Sequence, residues 1–377
     1  MNHSALIRLA IATSILAGAI ARGQNGPSRV DGPIPYGAPT AAMTASFQKE
    51  GRALPYPEIL QPTLDPDLPP FKPAADSGLS GHLQGASSDV LADISKRWIA
   101  AFKAYYPGVA IDVPPPYSGK YGAKELVSEK ADFALVSREL VPSDVVDFKA
   151  KFGYAPLSVP IIGGTWRHFG FLDAVVFFVN KENPLRKITF AQLDALLSTT
   201  RYRGADAIRT WGQLGLGGDW ADKPIHVWAV QPWNGFEEFV RERVLSPGDT
   251  RGEWRTDLNF GETVFPMAPA VAKDRYAIGY AGLAYINDGI KLLSLAEDEK
   301  GPFHPPSYEE VALATFPLSR LVYCNVNRPK GKALSPALDE FIRFILSKEG
   351  QQVVLDQKTY LPLRASQAEH SRALLTN

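Results

Sequence analysis

The pattern of apolar and polar residues along the chain changes at about residue 81. From there on, short apolar runs alternate with segments in which apolar residues recur at helical spacing. Apolar positions three and four apart predict a helix over 90–106, and a further helix is predicted over 122–130. Apolar runs predict strands over 109–113 and 132–136. This alternation predicts an α/β fold with largely parallel sheets covered by helices.

The second half of the chain continues this alternation. The stretch 173–180 is almost wholly apolar, which is typical of a strand buried on both faces. Thr189 stands where it could cap a helix over 188–197. Further strands are predicted over 225–230 and 277–282, and further helices over 236–245 and 334–355.

Residues 1–23 have the features of an export signal. The apolar run 9–21 is too short to span a bilayer, and Ala19, Ile20 and Ala21 form a cleavage site of the small-x-small type. A buried N-terminal helix is the alternative. No cysteine directly follows the run to accept a lipid anchor, and no later segment has the pattern of a membrane span. We therefore expect a periplasmic or secreted protein.

Residues 24–80 form a Pro-rich lead-in that cannot sustain a helix or a central strand. Two interpretations stay open for this segment. It is either extended and disordered in part, or it wraps onto the folded body through Leu60, Leu64, Leu68 and Phe71.

Charge and cysteine content exclude several classes of protein. The 40 basic residues balance the 40 acidic ones, and loss of the signal removes Arg8, which argues against nucleic acid as a partner. The single cysteine, Cys324, lies in an apolar stretch, so neither an intramolecular disulfide nor a multi-cysteine metal site can form. The six histidines are scattered and no Gly-x-Ser-x-Gly turn occurs, so we expect neither an enzyme nor a cofactor.

Ser137 and Arg138 directly follow the predicted strand 132–136. In open α/β sheets, ligands bind just beyond the carboxyl ends of strands. A hydroxyl beside a guanidinium suits an oxyanion, because both groups donate hydrogen bonds and the second carries a fixed positive charge. The alternative is a strand end whose Ser caps the next element and whose Arg is solvated.

Several short segments follow one another in a characteristic order and spacing between residues 81 and 363. They include Ala-Asp-Phe-Ala-Leu-Val-Ser-Arg at 131–138 and Phe-Pro-Leu-Ser-Arg at 316–320. The others are 85–89, 117–120, 173–180, 183–184, 188–193, 277–280, 350–353 and 360–363. In this order the chain resembles the periplasmic solute-binding proteins of the phosphate-binding type.

The resemblance implies a two-lobed periplasmic-binding-protein-like fold of type II. Each lobe would be a mixed, mostly parallel sheet flanked by helices. Lobe 1 would comprise residues 81–175 and 319–377, and lobe 2 residues 176–318. The strands 173–180 and 318–326 would be the two hinge crossings, and the ligand would bind in the cleft between the lobes.

On the first lobe, the resemblance implies ligand contacts at three places in the chain. A helix N-terminus, a turn before the next helix and a strand end would each offer hydrogen-bond donors to an anion. The residues concerned are Ser87, Ser88 and Asp89, then Ser118 and Gly119, then Ser137 and Arg138. For Ser88 and Asp89, helix capping without any ligand contact is the alternative.

On the second lobe, this chain departs from the family pattern. The family usually has a Ser-Gly-Thr turn at the start of a helix, often shortly after an Arg. The matching positions here are Trp233, Asn234 and Gly235, and residues 228–234 contain no Arg. The Asn234 amide could still donate, whereas Trp233 would either stack on the ligand or pack under the hinge. The departure favours an oxyanion in general over phosphate in particular.

The resemblance implies an exported, monomeric binding protein that does not itself span a membrane. It would capture a small oxyanion, phosphate first, as the receptor for an ABC transporter, whose membrane subunits would be its partners. Two alternatives stay open. One is a sensor or interaction protein that works without a transporter, and the other is a secreted phosphoester hydrolase.

Overall fold

The computed structural model describes residues 62–74, 78–115, 122–166, 172–232 and 234–376. The predicted signal and most of the lead-in lie outside these ranges. The described chain forms two lobes, each a mixed five-stranded sheet flanked by helices. The α/β class and the two-lobed architecture predicted from the sequence are thereby confirmed.

The first sheet has the strand order β2-β1-β3-β12-β4. Strand β1 pairs in parallel with β2 and β3, whereas β12 runs antiparallel to β3 and β4. These strands are β1 (Gly81–Ser87), β2 (Val109–Asp112), β3 (Phe133–Val136), β4 (Leu157–Gly163) and β12 (Leu321–Val326). Since β12 comes from far along the chain, this lobe is built from two separate segments.

The second sheet has the order β10-β5-β9-β7-β8, and a two-stranded sheet pairs β6 with β11. Strand β7 is parallel to β8 and β9, whereas β5 is antiparallel to β9 and β10. The strands are β5 (Val175–Asn180), β6 (Lys187–Thr189), β7 (His226–Val230), β8 (Asn259–Gly261), β9 (Ala277–Gly282), β10 (Ile290–Leu292) and β11 (Ser294–Ala296). Parallel and antiparallel pairs are equally frequent in both five-stranded sheets, so the sheets are mixed but not mostly parallel.

Helices flank both sheets. Those of the first lobe are α1 (Ala92–Lys103), α2 (Gly122–Val127), α3 (Pro142–Phe152), α8 (Pro336–Ile345), α9 (Lys348–Gln357) and α10 (Ala365–Thr376). Those of the second lobe are α4 (Phe190–Leu197), α5 (Gly235–Val240), α6 (Met267–Lys273) and α7 (Tyr308–Ala312). A π-helical turn, Arg241–Leu245, continues α5, and 3-10 turns occupy Asp89–Leu91, Trp211–Leu214, Gly218–Trp220 and Leu283–Tyr285.

Burial follows the pattern that the sequence predicts. Every residue of β5 is buried, as expected for a strand covered on both faces. Helix α1 buries Ile94, Trp98 and Phe102 at successive turns of one face. Fully burying a side chain of this kind stabilises the fold by about 1.5–3 kcal/mol. The two lobes have separate apolar cores, so each sheet is held by its own helices.

The predicted helix 334–355 is wrong in one respect, because the structure has two helices there, α8 and α9. The break falls at Ser347, whose hydroxyl accepts a hydrogen bond from the amide of Gly350 (3.2 Å) and caps α9. Gly350 packs so closely that a Cβ would lie 2.1 Å from the carbonyl oxygen of Phe344. The N-cap at Ser347 and the close packing of Gly350 thus end one helix and begin the next, although the apolar pattern continues through both.

Residues 62–74 of the lead-in wrap onto the first lobe. Leu68 is 2% exposed and belongs to the lobe's core. The ring of Phe71 packs edge-on against the rings of Tyr105 and Phe344, at centroid distances of 5.0 and 5.3 Å. Of the two interpretations of the lead-in, wrapping therefore holds for this part.

Polar contacts hold residues 62–74 to the first lobe near both ends of this segment. The carboxylate of Asp65 lies 3.4 Å from Nε of Arg364 and accepts a hydrogen bond from the amide of Ala365 (3.0 Å). The amide of Phe71 donates to the carboxylate of Glu349 (2.6 Å). Residues 62–74 thereby connect the starts of α9 and α10.

The chain passes between the two sheets twice, after β4 and before β12. The amide of Gly164 donates to the carbonyl of Arg320 (2.6 Å), and the amide of Val175 donates to the carbonyl of Leu318 (3.1 Å). The two passages are therefore hydrogen-bonded side by side. The strands predicted as crossings each belong to one sheet, as β5 and β12, and the crossings are the short stretches that precede them.

None of the described helices has the length and apolar character needed to cross a membrane. Cys324 is buried in β12, and burial raises the pKa of its thiol to about 12. A buried cysteine of this kind packs as a small apolar side chain.

Candidate functional site

Two parallel strands of the first sheet end side by side and present serines there. In the pairing of β1 with β3, Ser87 lies opposite Leu135. The amide of Ser88 donates to the carbonyl of Leu135 (2.9 Å), and the amide of Ser137 donates to the hydroxyl oxygen of Ser88 (3.2 Å). The structure thus brings two of the three predicted first-lobe segments into contact.

The residues that follow β1 form a 3-10 turn before α1 begins. The buried hydroxyl of Ser87 donates to the carbonyl of Ser88 (3.0 Å), so its proton is used within the turn. The exposed carboxylate of Asp89 accepts from the amide of Val90 (2.9 Å). Since a carboxylate repels an anion, an anion would approach the backbone of this turn and not the Asp89 side chain.

Arg138 lies at the exit of β3 with its side chain 21% exposed. Its guanidinium donates to the carbonyl of Glu139 (2.7 Å) and lies 3.4 Å from the carboxylate of Asp144, at the start of α3. Burial raises the pKa of Asp144, and the positive charge of Arg138 acts in the opposite direction. The 3.4 Å contact with Asp144 is weak, so most N–H donors of the Arg138 guanidinium stay available.

Arg138 also acts electrostatically on the second lobe. For Glu238, on α5, burial raises the pKa and the paired Arg251 lowers it, with Arg138 adding to the lowering. For Glu242, in the π-helical turn that follows α5, burial raises the pKa and the charge of Arg138 opposes the rise. Arg138 is therefore close enough to α5 and its continuation to affect their acidic side chains.

On the second lobe, Asn234 precedes α5 as its N-cap. Its side-chain oxygen accepts a hydrogen bond from the amide of Phe236 (2.9 Å), so its NH2 group stays available to donate. A Cβ added at Gly235 would have no atom within 4 Å, so the turn is open at this point. Trp233 lies outside the described residues, as do Ser118 and Gly119 of the first lobe.

One residue that the sequence did not indicate contacts α5 from the hinge. Arg320 stands at the second crossing, just before β12, and its guanidinium carbon lies 4.3 Å from the ring centroid of Phe239 on α5. Burial lowers the pKa of Arg320, as does the nearby charge of Arg138, whereas Glu139 and Asp173 raise it. Arg320 ends the segment 316–320 that contributed to the family resemblance, and nothing else in the sequence singled it out.

Glu242 is a second residue that the sequence did not indicate. One of its carboxylate oxygens is buried and has no hydrogen-bond partner among the described residues. Burial raises its pKa to about 8, with Glu238 and Glu139 adding to the rise and Arg138 and Arg251 opposing it. At neutral pH this carboxyl is therefore mostly uncharged, so it leaves the positive charges around it unneutralised.

The candidate residues therefore include two guanidinium groups, a pair of touching serines and a mostly uncharged carboxyl, with the carboxylates of Glu139 and Asp173 near Arg320. Such a set of donors suits a small oxyanion, since guanidinium groups bind its oxygens through paired N–H donors. In the ranges that the structure describes, no group of three or more acidic, His or Cys side chains could hold a metal ion.

Comparison with known proteins shows which family the chain resembles. A model of the PBP superfamily domain matches residues 72–349. The phosphate-binding protein PstS of Pseudomonas aeruginosa is 34% identical over 308 residues, which cover 81% of this chain and 90% of that protein. Its counterpart in Staphylococcus saprophyticus is 24% identical over 298 residues, 76% of this chain and 84% of that protein.

Among solved structures, PstS from Borrelia burgdorferi superposes with a TM-score of 0.53 at 17% sequence identity. The match covers 76% of this chain and 100% of that one, and at this identity it bears on the fold alone.

Proposed function

This chain belongs to the PBP superfamily, and from that membership we propose that it is an exported binding protein that captures a small oxyanion, phosphate first, between its lobes. The name of its relative at 34% identity, a phosphate-binding protein, supports the choice of phosphate. The observation that carries the proposal is the junction of Ser88, Ser137 and Arg138 at the adjoining ends of β1 and β3.

In this proposal the first wall of the site is formed by the backbone of the turn at Ser88 and by Ser137 and Arg138. The second wall is formed by Asn234 and Gly235, at the start of α5. Ser118, Gly119 and Trp233 are retained as predicted contacts, although they lie outside the described residues. Closure of the lobes would exclude water, which strengthens each charge-assisted hydrogen bond to the anion.

We further propose that the protein is exported through the signal over residues 1–23 and works as a monomer in the periplasm or outside the cell. It would deliver its ligand to the membrane subunits of an ABC transporter. Binding without turnover is proposed because the relatives carry the names of binding proteins.

The proposal is tested by isothermal titration of the mature chain with phosphate, sulfate, molybdate and small phosphoesters. We expect saturable one-to-one binding of phosphate, a raised melting temperature in its presence, and no release of phosphate from the phosphoesters. Failure to bind any of these oxyanions would contradict the ligand class. Steady release of phosphate from an ester would favour the hydrolase alternative.

A further inference from the structure

We propose that Arg320 is a ligand-binding residue that supplies the second guanidinium of the anion site. This inference rests on the proposed function and adds a residue to the same cleft. The ligand class is a small oxyanion that carries enough negative charge to accept from two guanidinium groups, with inorganic phosphate as the probe.

The first support is that Arg320 has a fixed position between the lobes. Its carbonyl accepts from the amide of Gly164 in the other crossing (2.6 Å), and β12 begins with the next residue. A Cβ at Gly164 would lie 2.7 Å from Cβ of Arg320, so the two crossings touch at this point. The backbone from which this side chain extends is therefore held against the other crossing.

The second support is that the guanidinium is held by stacking and not by a hydrogen-bonded partner. It stacks on Phe239 at 4.3 Å, yet it makes neither a hydrogen bond nor an ion pair with any residue that the structure describes. Stacking uses the face of the guanidinium and leaves its in-plane N–H donors free. The hydroxyl of the preceding residue, Ser319, is also buried without a partner among the described residues.

In the described part of the chain two other arginines are buried, and in both of them the guanidinium makes hydrogen bonds. Arg241 donates from Nε to the carboxylate of Glu237 (2.8 Å). Arg255 donates to the carboxylate of Asp257 (2.6 Å) and to the carbonyl of Leu196 (2.8 Å). Because buried donors are normally satisfied, unused donors in a cleft point to a ligand that is bound there.

The third support is the charge around Arg320. Burial lowers the pKa of Arg320 and the charge of Arg138 lowers it further, whereas Glu139 and Asp173 raise it. Of the nearby carboxylates, Glu139 accepts from the hydroxyl of Tyr323 (3.1 Å), Asp173 accepts from the amide of Ala284 (2.9 Å), and Glu242 is mostly uncharged at neutral pH. An anion between the two guanidinium groups would relieve their repulsion.

Arg320 also lies close to the altered second-lobe turn. Residues 228–234 contain no Arg. Arg320 reaches α5 from the hinge and lies against Phe239, five residues after Asn234. Its guanidinium therefore contacts the helix that begins at this turn.

The test compares Arg320→Gln and Arg320→Lys with the wild type by isothermal titration with inorganic phosphate, and by the melting temperature without phosphate. We expect Arg320→Gln to weaken phosphate binding about ten-fold or more, because a charge-assisted contact is lost. Its melting temperature should fall only slightly, since the guanidinium has no hydrogen-bonded partner in the described protein and only its stacking on Phe239 is lost. Arg320→Lys should bind phosphate more tightly than Arg320→Gln, because it keeps the charge.

The control is Arg343→Gln, which removes an arginine paired with Asp339 on the far helix α8 and should leave phosphate affinity unchanged. If the wild type binds phosphate and the phosphate affinity of Arg320→Gln lies within two-fold of the wild-type value, the inference fails and the proposed function stands. A wild type that binds no oxyanion overturns both. If neither Arg320 variant folds, Arg320 has a structural role and the inference is overturned as well.

Discussion

The guanidinium of Arg320 lies over the ring of Phe239, 4.3 Å from its centroid, and this contact joins the hinge crossing to α5 of the second lobe. Phe239 is 3% exposed and belongs to the core of that lobe. The ring is therefore held by the core of the lobe, and its contact helps to position the guanidinium of Arg320. Phe239 has no hydrogen-bond donor in its side chain, yet it influences where the donors of Arg320 lie.

Substitution of Phe239 should consequently weaken anion binding although its side chain donates no hydrogen bond. A cation–π contact contributes about 0.5–2 kcal/mol, so we expect Phe239→Leu to lower phosphate affinity by about two-fold up to at most about thirty-fold. The measurement is isothermal titration at a temperature well below the melting point of the variant.

The matched control for that substitution is Phe190→Leu, in the same lobe and 1% exposed. The guanidinium carbon of Arg203 lies 5.1 Å from the ring centroid of Phe190, but Arg203 also donates to the carbonyls of Val244 (2.6 Å) and Arg243 (2.9 Å). The control should leave phosphate affinity unchanged. Equal losses in the two variants would mean that general loosening of the lobe is responsible.

Arg138→Ala should weaken phosphate binding about ten-fold or more, because it removes a charge-assisted contact from the first wall. Isothermal titration with phosphate measures the effect. The control is Arg97→Ala on α1, where an exposed arginine pairs with Asp93 at 2.8 Å and faces no cleft. An unchanged affinity in Arg138→Ala would show that its contact with Asp144 only fastens α3 to the sheet.

The protonation of Glu242 should make the stability of the protein depend on pH. Its pKa is about 8 in the folded chain against an ordinary 4.5, so the folded state holds a proton that the unfolded chain has released between these values. Stability contributed by the uncharged carboxyl is therefore complete below pH 4.5 and is lost as pH rises towards 8, by about 1.4 kcal/mol per pH unit at most.

Glu242→Gln cannot ionise, so its melting temperature should exceed that of the wild type by a margin that grows from pH 5 to pH 8. Thermal unfolding at several pH values measures this margin. The exposed residue Glu299 provides the control, since Glu299→Gln should give no such growing margin. A margin for Glu242→Gln that is the same at every pH would argue against the burial of its carboxyl.

The sequence was sufficient to predict the elements whose formation depends on local pattern. The all-apolar β5 and the capped start of α4 are both present, and the hydroxyl of Thr189 accepts from the amide of Gln192 (3.2 Å) as the capping pattern predicts. The break between α8 and α9 was missed, because apolar residues continue at helical spacing through it. A break of this kind depends on the close packing of Gly350, which no local pattern reveals.

The candidate site likewise has a part that the sequence predicts and a part that it does not. Ser137 and Arg138 could be predicted because they follow a strand directly, and strand ends are where ligands bind in such sheets. Arg320 could not, because what distinguishes it is the absence of a partner among the described residues together with its contact to Phe239. Both depend on the meeting of two lobes whose residues are far apart in the chain.

The part of the lead-in that wraps onto the first lobe should contribute to its stability. Leu68 is 2% exposed, so Leu68→Ala should lower the free energy of unfolding by about 2–4 kcal/mol through lost burial and a cavity. Urea unfolding of the mature chain measures this. Leu313→Ala is the control, because Leu313 is 44% exposed and its truncation should change the free energy of unfolding by less than about 0.5 kcal/mol. Equal, small effects in both variants would mean that residues 62–74 rest on the lobe without supporting it, and a deletion that ends at residue 61 should then behave like one that ends at residue 74.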